Sequence, residues 1–202
     1  MKHTALIARK AHMRGFSLIE VVVATAIFLI ITLIVLTSQS QFRSNVILGN
    51  LAYDVALSVR EAQVYGLGAR EGSIGSEDFD IAYGVHFDSA DLNHYVLFAD
   101  LDRDGTYDES DELVELYTFN QGFFIASFCG ELSGGAQRCG PNELSFLDIV
   151  FDRPEPDAIF TSDFSSDTYG LAEINLQAAQ GGTRTVTITQ TGQIAVEQAT
   201  QQ

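Results

Sequence analysis

The stretch that decides the reading runs from Arg14 to Phe42, RGFSLIEVVVATAIFLIITLIVLTSQSQF. Between Phe16 and Leu36 it holds 21 residues, of which only Ser17, Glu20, Thr25 and Thr32 are polar. At 1.5 Å per residue such a helix is about 30 Å long, the thickness of the hydrocarbon core of a bilayer. Lys2, Arg9, Lys10 and Arg14 precede it, with no acid among residues 1–15. The positive-inside rule therefore keeps the leader in the cytoplasm and sends the remainder outward. A secretory signal peptide carries a small-residue cleavage site after its apolar run. Here LIVLTSQSQF offers no A-x-A pattern, and Gly15 lies before the run instead. One carboxylate, Glu20, sits inside the grease. At a helix centre a charge costs about 2.5–3.5 kcal/mol on insertion scales, so Glu20 calls for a partner or a place near the headgroups.

The rest of the 202-residue chain has a different character. The formal charge of −16 is unevenly spread: past residue 15 only seven basic residues stand against 27 acidic ones. A domain so acidic repels phosphate backbones, and nucleic-acid binding is not expected of it. With 46% hydrophobic residues, 14 Phe and 7 Tyr it still has the material for a core. No proline occurs before residue 141, and helical spacing resumes after the polar TSQSQFRS. Val46, Leu51, Val55, Val59, Ala62 and Val64 fall mainly three and four residues apart, which predicts an amphipathic second half of the same helix. Gly49 could bend it, and Gly66 and Gly68 are candidate terminators.

After Gly68 the pattern becomes short apolar runs separated by turn residues. IAYGVHF, HYVLFAD, ELVELYTF, FFIASFC, LSFLDIVF, AEINLQA and TRTVTITQ each read as strands. Gln180-Gly181-Gly182 and Thr191-Gly192 read as hairpin turns, and RPEPDAIFTSDFSSDTYG as a long surface loop. No βαβ alternation is present, so the expected class is α+β, with a long helix packed on a mainly antiparallel sheet.

Two clusters carry candidate chemistry. Cys129 and Cys139 flank a glycine-rich loop that could bring them to disulfide distance in an oxidising compartment; two free thiols are the alternative. In FADLDRDGTYDESDELVELY, the residues Asp100, Asp102, Asp104, Gly105, Thr106, Asp108 and Asp111 occupy positions 1, 3, 5, 6, 7, 9 and 12 of an EF-hand-like loop, a hard-oxygen set suited to Ca²⁺. Position 12 is Asp rather than Glu, with Glu112 one residue further, and the flanks read as strands. The alternative is a solvated acidic hairpin. His86 and His94 lie in or beside predicted strands, and the chain has no nucleophile elbow, Walker loop or HExxH, so no enzyme is expected.

A short basic leader ending in Gly15, then Phe16, then Glu20 five residues past the glycine, then a long apolar helix, resembles the signal of type IV prepilins. The resemblance covers about the first 45 residues closely. It implies a pilin-like fold, cleavage of the Gly15–Phe16 bond by prepilin peptidase in the cytoplasmic membrane, and N-methylation of Phe16. It further implies a role for Glu20 in assembly, where it would neutralise the new amine of a neighbouring subunit. The implied organisation is a leader over 1–15, a membrane and assembly segment over 16–36, an amphipathic half over 37–67 and an acidic β-rich domain over 68–202. The implied partners are other pilin subunits and a pilus assembly platform, with the mature protein in a pilus or a periplasmic pseudopilus. The strand–acidic turn–strand of residues 95–117 is loosely similar to FimT-like minor pilins and pseudopilins. Alternatives are a type II secretion pseudopilin, a tip minor pilin, or a membrane-anchored, calcium-stabilised binding domain that never polymerises.

Overall fold

The computed structural model describes residues 15–68, 81–108, 112–120 and 122–198, with the backbone alone for 37–41 and 198. It divides into two compact units, residues 1–40 and 41–202. One helix, α1, spans Leu18–Leu67. Its apolar segment in the first unit, Leu18–Leu36, has a mean hydropathy of 2.9 and, among the described residues, buries none of its length. Such a surface needs lipid or other helices around it.

In the second unit the helix is one-sided. Leu48, Ala52, Val55, Val59 and Ala62 are fully buried and Gly66 continues the series, at alternating four- and three-residue steps. Each of Leu48, Val55 and Val59 contributes about 1.5–3 kcal/mol of transfer free energy. Val46 and Val64, which their apolar character put on the stripe, are exposed, and Leu51 is half-buried. Phase decides this: those two valines lie off the face that the alternating steps define. The helix stops after Leu67, where the Gly68 N–H donates to the carbonyls of Val64 and Tyr65 at 3.0 and 3.2 Å.

Ten strands follow: β1 Ala82–Asp88, β2 His94–Asp100, β3 Leu113–Thr118, β4 Phe123–Leu132, β5 Gln137–Gly140, β6 Phe146–Phe151, β7 Ala158–Ser162, β8 Tyr169–Ala178, β9 Thr183–Thr189 and β10 Ile194–Gln198. They form two five-stranded sheets, β3-β2-β1-β6-β7 and β10-β9-β8-β4-β5. All pairings are antiparallel. One apolar cluster joins the helix stripe to both sheets, through Tyr83, Phe87, Leu97, Ile149 and Phe151 of the first and Phe128, Ile174 and Ile188 of the second. The arrangement is α+β, as expected. Three strands lie where none was expected. β5 is polar and is held by pairing with β4; β7 uses Ala158–Ser162 from inside the stretch that reads as a loop; β10 closes the turn at Gly192 onto β9.

Polar bonds fix the helix on the sheets. The Ser58 hydroxyl donates to the Asp54 carbonyl at 3.1 Å and is left to accept from the buried Tyr95 hydroxyl on β2 at 3.0 Å. Gln63, also buried, donates to the carbonyls of Pro156 and Gly192. Tyr117 stacks on Tyr95 with ring centroids 4.9 Å apart.

Gly66 marks the closest approach of helix and sheet: a Cβ there would stand 2.1 Å from the Phe151 carbonyl oxygen. Gly66→Ala therefore destabilises the fold by about 1–3 kcal/mol despite alanine's better helix propensity. Gly134→Ala, with nothing within 4 Å of the new methyl, leaves the melting temperature nearly unchanged. Thermal melts of the two variants beside the parent check this. A second expectation concerns alkali. Burial pushes the Tyr95 phenol well above its usual value, and burial reinforced by the Glu115 and Glu61 carboxylates pushes Tyr117 up to about 12. The fold thus favours the neutral phenols. That stability is complete below the unfolded tyrosine pKa of about 10 and is lost as pH rises from there through the folded values. Denaturant midpoints should fall steadily above about pH 10, and Tyr95→Phe should flatten the slope.

Candidate functional site

The N-terminal motif has a simple local geometry. Gly15, Phe16 and Ser17 precede the first helical residue and are exposed, so the Gly15–Phe16 bond lies in accessible, non-helical chain. Ser17 is the N-cap of α1: its hydroxyl accepts the Glu20 N–H at 3.3 Å, and its carbonyl accepts the same N–H at 3.1 Å. The S-x-x-E spacing of Ser17 and Glu20 matches a capping box, and Glu20 supplies the one acid of the first turn, where the helix dipole favours it. Glu20 thus has a local reason for its place beside the assembly role implied by the resemblance. The basic leader through Arg14 lies outside the described residues.

The acidic hairpin is a strap rather than an EF-hand. Between β2 and β3 the chain turns through two left-handed residues, Arg103 at φ 65° and Gly105 at φ 78°. It then runs over the outer face of the first sheet. There Ala82, Val96, Phe98 and Val150 form a second small core with Tyr107 packed on it. The Tyr107 ring lies 5.5 Å from Phe98 and 4.9 Å from His86 between centroids, and Gly105 approaches Thr161 of β7.

Of the residues expected to hold a metal, the structure draws together Asp100 and Asp102, and adds Glu112: one oxygen from each lies within 4.8 Å of the others. Asp104 turns back on its own loop, accepting from the Thr106 N–H and hydroxyl at 2.8 and 2.5 Å. Asp108 is tied to the group through its backbone, its N–H donating to Glu112 Oε2 at 2.8 Å. Asp111 lies outside the described residues. The closing acid among the described residues is therefore Glu112. The flanks are paired strands, and the Ala99 N–H donates to the Glu112 carbonyl, which sets Glu112 beside Asp100. Asp100 and Glu112 are almost wholly buried, and burial raises both carboxyls above their ordinary values.

Sequence reading passed over a pair on the same outer face. His86 and Asp148 are register partners on β1 and β6, and His86 Nδ1 lies 2.6 Å from Asp148 Oδ1. The other Asp148 oxygen accepts the Tyr107 N–H at 3.3 Å, anchoring the strap. Asp148 is fully buried, and burial pushes its carboxyl up. The available signal was period-two alternation, which puts both residues opposite the core-facing Val85, Phe87, Leu147 and Ile149. A cleft of about 440 Å³ opens beside them, lined in part by His86, His94, Tyr107 and Leu116. On the other sheet, Cys129 and Cys139 are opposed on β4 and β5 and joined as a disulfide.

Residues 10–36 match the family model described as the prokaryotic N-terminal methylation motif. This is the prepilin motif of type IV pilins, and it supports a type IV pilin-like chain processed by prepilin peptidase. The apolar helix that the motif opens fits membrane anchoring. No curated protein and no solved structure matches the chain.

Asp148→Ala would leave the half-buried His86 ring and Tyr107 N–H without their acceptor, at up to about 1–3 kcal/mol for each. Urea unfolding should show a clear loss of stability, with Asp148→Asn, which keeps one carbonyl oxygen, falling between that variant and the parent.

Proposed function

We propose that this chain is a structural, non-catalytic subunit of a type IV pilus or pilus-like filament. Prepilin peptidase cuts it between Gly15 and Phe16, Phe16 is methylated, and an assembly platform draws it from the cytoplasmic membrane into the filament. The observation that carries the reading is the methylation motif, residues 10–36, whose apolar helical part, Leu18–Leu36, finds no cover among the described residues. Side-by-side packing of such segments in a filament would cover that surface without lipid. The Ser17 cap supports the same reading, because it starts the helix just past the bond to be cut and leaves that bond non-helical and exposed.

In the filament Glu20 has a second task. The amine that cleavage creates on Phe16 is cationic near neutral pH and stands at the positive end of the helix dipole. A carboxylate from an adjacent subunit offsets both charges and fixes the axial register of otherwise featureless apolar rods. The acidic domain beyond residue 67 would lie outside the membrane, in keeping with the basic leader that stays inside.

Mass spectrometry of the mature N-terminus in the native host tests this directly. The expected product begins at N-methylated Phe16 and is recovered in the sheared filament fraction. A Glu20→Ala chain should be cut as efficiently and yet enter filaments at least tenfold less. An intact leader, or a cut after Thr37, would sink the proposal.

A further inference from the structure

We infer that Asp100, Asp102 and Glu112 bind a divalent cation, Ca²⁺, which fixes the β2–β3 strap to the outer face of its sheet. Three observations lead there. First, an oxygen from each residue lies within 4.8 Å of the others, a span that metal–oxygen bonds of about 2.3–2.6 Å can bridge. Second, Asp100 is 2% exposed, and while Oδ2 accepts the Gly105 N–H at 3.1 Å, Oδ1 is buried with no hydrogen-bond partner among the described residues. A buried carboxylate oxygen without a donor is costly, and a cation supplies the missing partner. Third, Glu112, 3% exposed, is held in place by the N–H groups of Leu101 and Asp108 on its two oxygens, at 2.9 and 2.8 Å. Each of those oxygens keeps a lone pair for a metal.

The donor set is all hard oxygen, which suits Ca²⁺ and not zinc or copper. Asp102 is exposed and leaves one side open to solvent, so water can complete the six to eight ligands that Ca²⁺ takes. The consequence extends past the three ligands. From Asp100 the chain passes through Gly105 against Thr161 and Tyr107 on Phe98, His86 and Asp148, then returns to Glu112. The ligands are the two feet of this strap. A cation joining them closes the loop that covers Ala82, Val96, Phe98 and Val150. This site does not depend on the filament reading and holds equally for a chain that never polymerises.

The test uses the full chain in detergent, stripped with EGTA and titrated with CaCl₂ alone or MgCl₂ alone. With Ca²⁺ at about ten times its dissociation constant, Tm should rise by roughly 3–6 °C, and hydrogen exchange should slow at residues 101–108. Asp100→Asn should remove the Ca²⁺ response while melting no lower than the parent in EGTA, since it neutralises a buried, crowded charge and keeps an oxygen for the Gly105 N–H. Glu112→Gln should also remove the response but melt lower in EGTA, since both Glu112 oxygens accept backbone N–H groups. Asp108→Asn, which leaves the backbone N–H contact intact, should respond like the parent. A Tm unmoved by millimolar Ca²⁺ would overturn the inference. So would a Ca²⁺ response retained in both ligand variants, and a larger shift with Mg²⁺ than with Ca²⁺ would overturn the assignment of the ion.

Discussion

Everything in the β-rich unit is arranged around one packing demand: a helix face of small and medium side chains must be covered by two sheets at once. Leu48, Ala52, Val55, Val59 and Ala62 keep that face shallow, and Gly66 lets backbone meet backbone at Phe151. A shallow face brings the sheets near, which is why Ser58, Gln63 and Asn45 reach strand and turn atoms that a bulkier stripe would hold away. The second sheet is recruited by the same requirement. Phe128, Ile174 and Ile188 would be half-exposed on a free sheet and are fully buried here.

The helix, the α+β class and seven strands were legible because period and turn chemistry agree locally in those segments. Legibility failed where a segment's conformation is imposed by its neighbour. QRCG has no alternation to read, and becomes β5 because β4 offers a ladder and Cys139 stands opposite Cys129. AIFTS sits among prolines and aspartates, and becomes β7 because β6 needs a partner on its open side. The candidate site shows the same division. The N-terminal motif is contiguous in sequence and could be read directly. The acidic group is set by strand register, and a template built for helix-flanked loops counted one residue short of Glu112.

The outer face of the first sheet shows how a chain this acidic handles its charge. Most carboxylates stay in water, but Asp100, Glu112 and Asp148 are driven under cover by the strap and are raised by that burial. Asp148 meets His86 and the Tyr107 N–H, so both its oxygens have protein donors. Asp100 keeps one oxygen without any. Two carboxylates buried under the same loop are therefore satisfied differently, one by protein donors and the other short by one. That inequality, rather than the number of acids in the hairpin, separates a candidate cation site from an ordinary solvated turn.

Glu20 raises the corresponding question at the other end of the chain. A carboxylate three residues into a capped helix is favoured by the helix dipole whether or not another subunit is near. A cap alone, however, gives no reason for a glycine before the apolar run or for a motif that continues to residue 36. Cleavage after Gly15 would add a full positive charge one residue ahead of Ser17, and the dipole repels that charge. The local role of Glu20 then becomes insufficient: one carboxylate would face both its own helix terminus and the amine of a neighbour. The cap holds the helix start in place, and processing would turn a residue that is locally comfortable into one with a preferred partner outside its own chain.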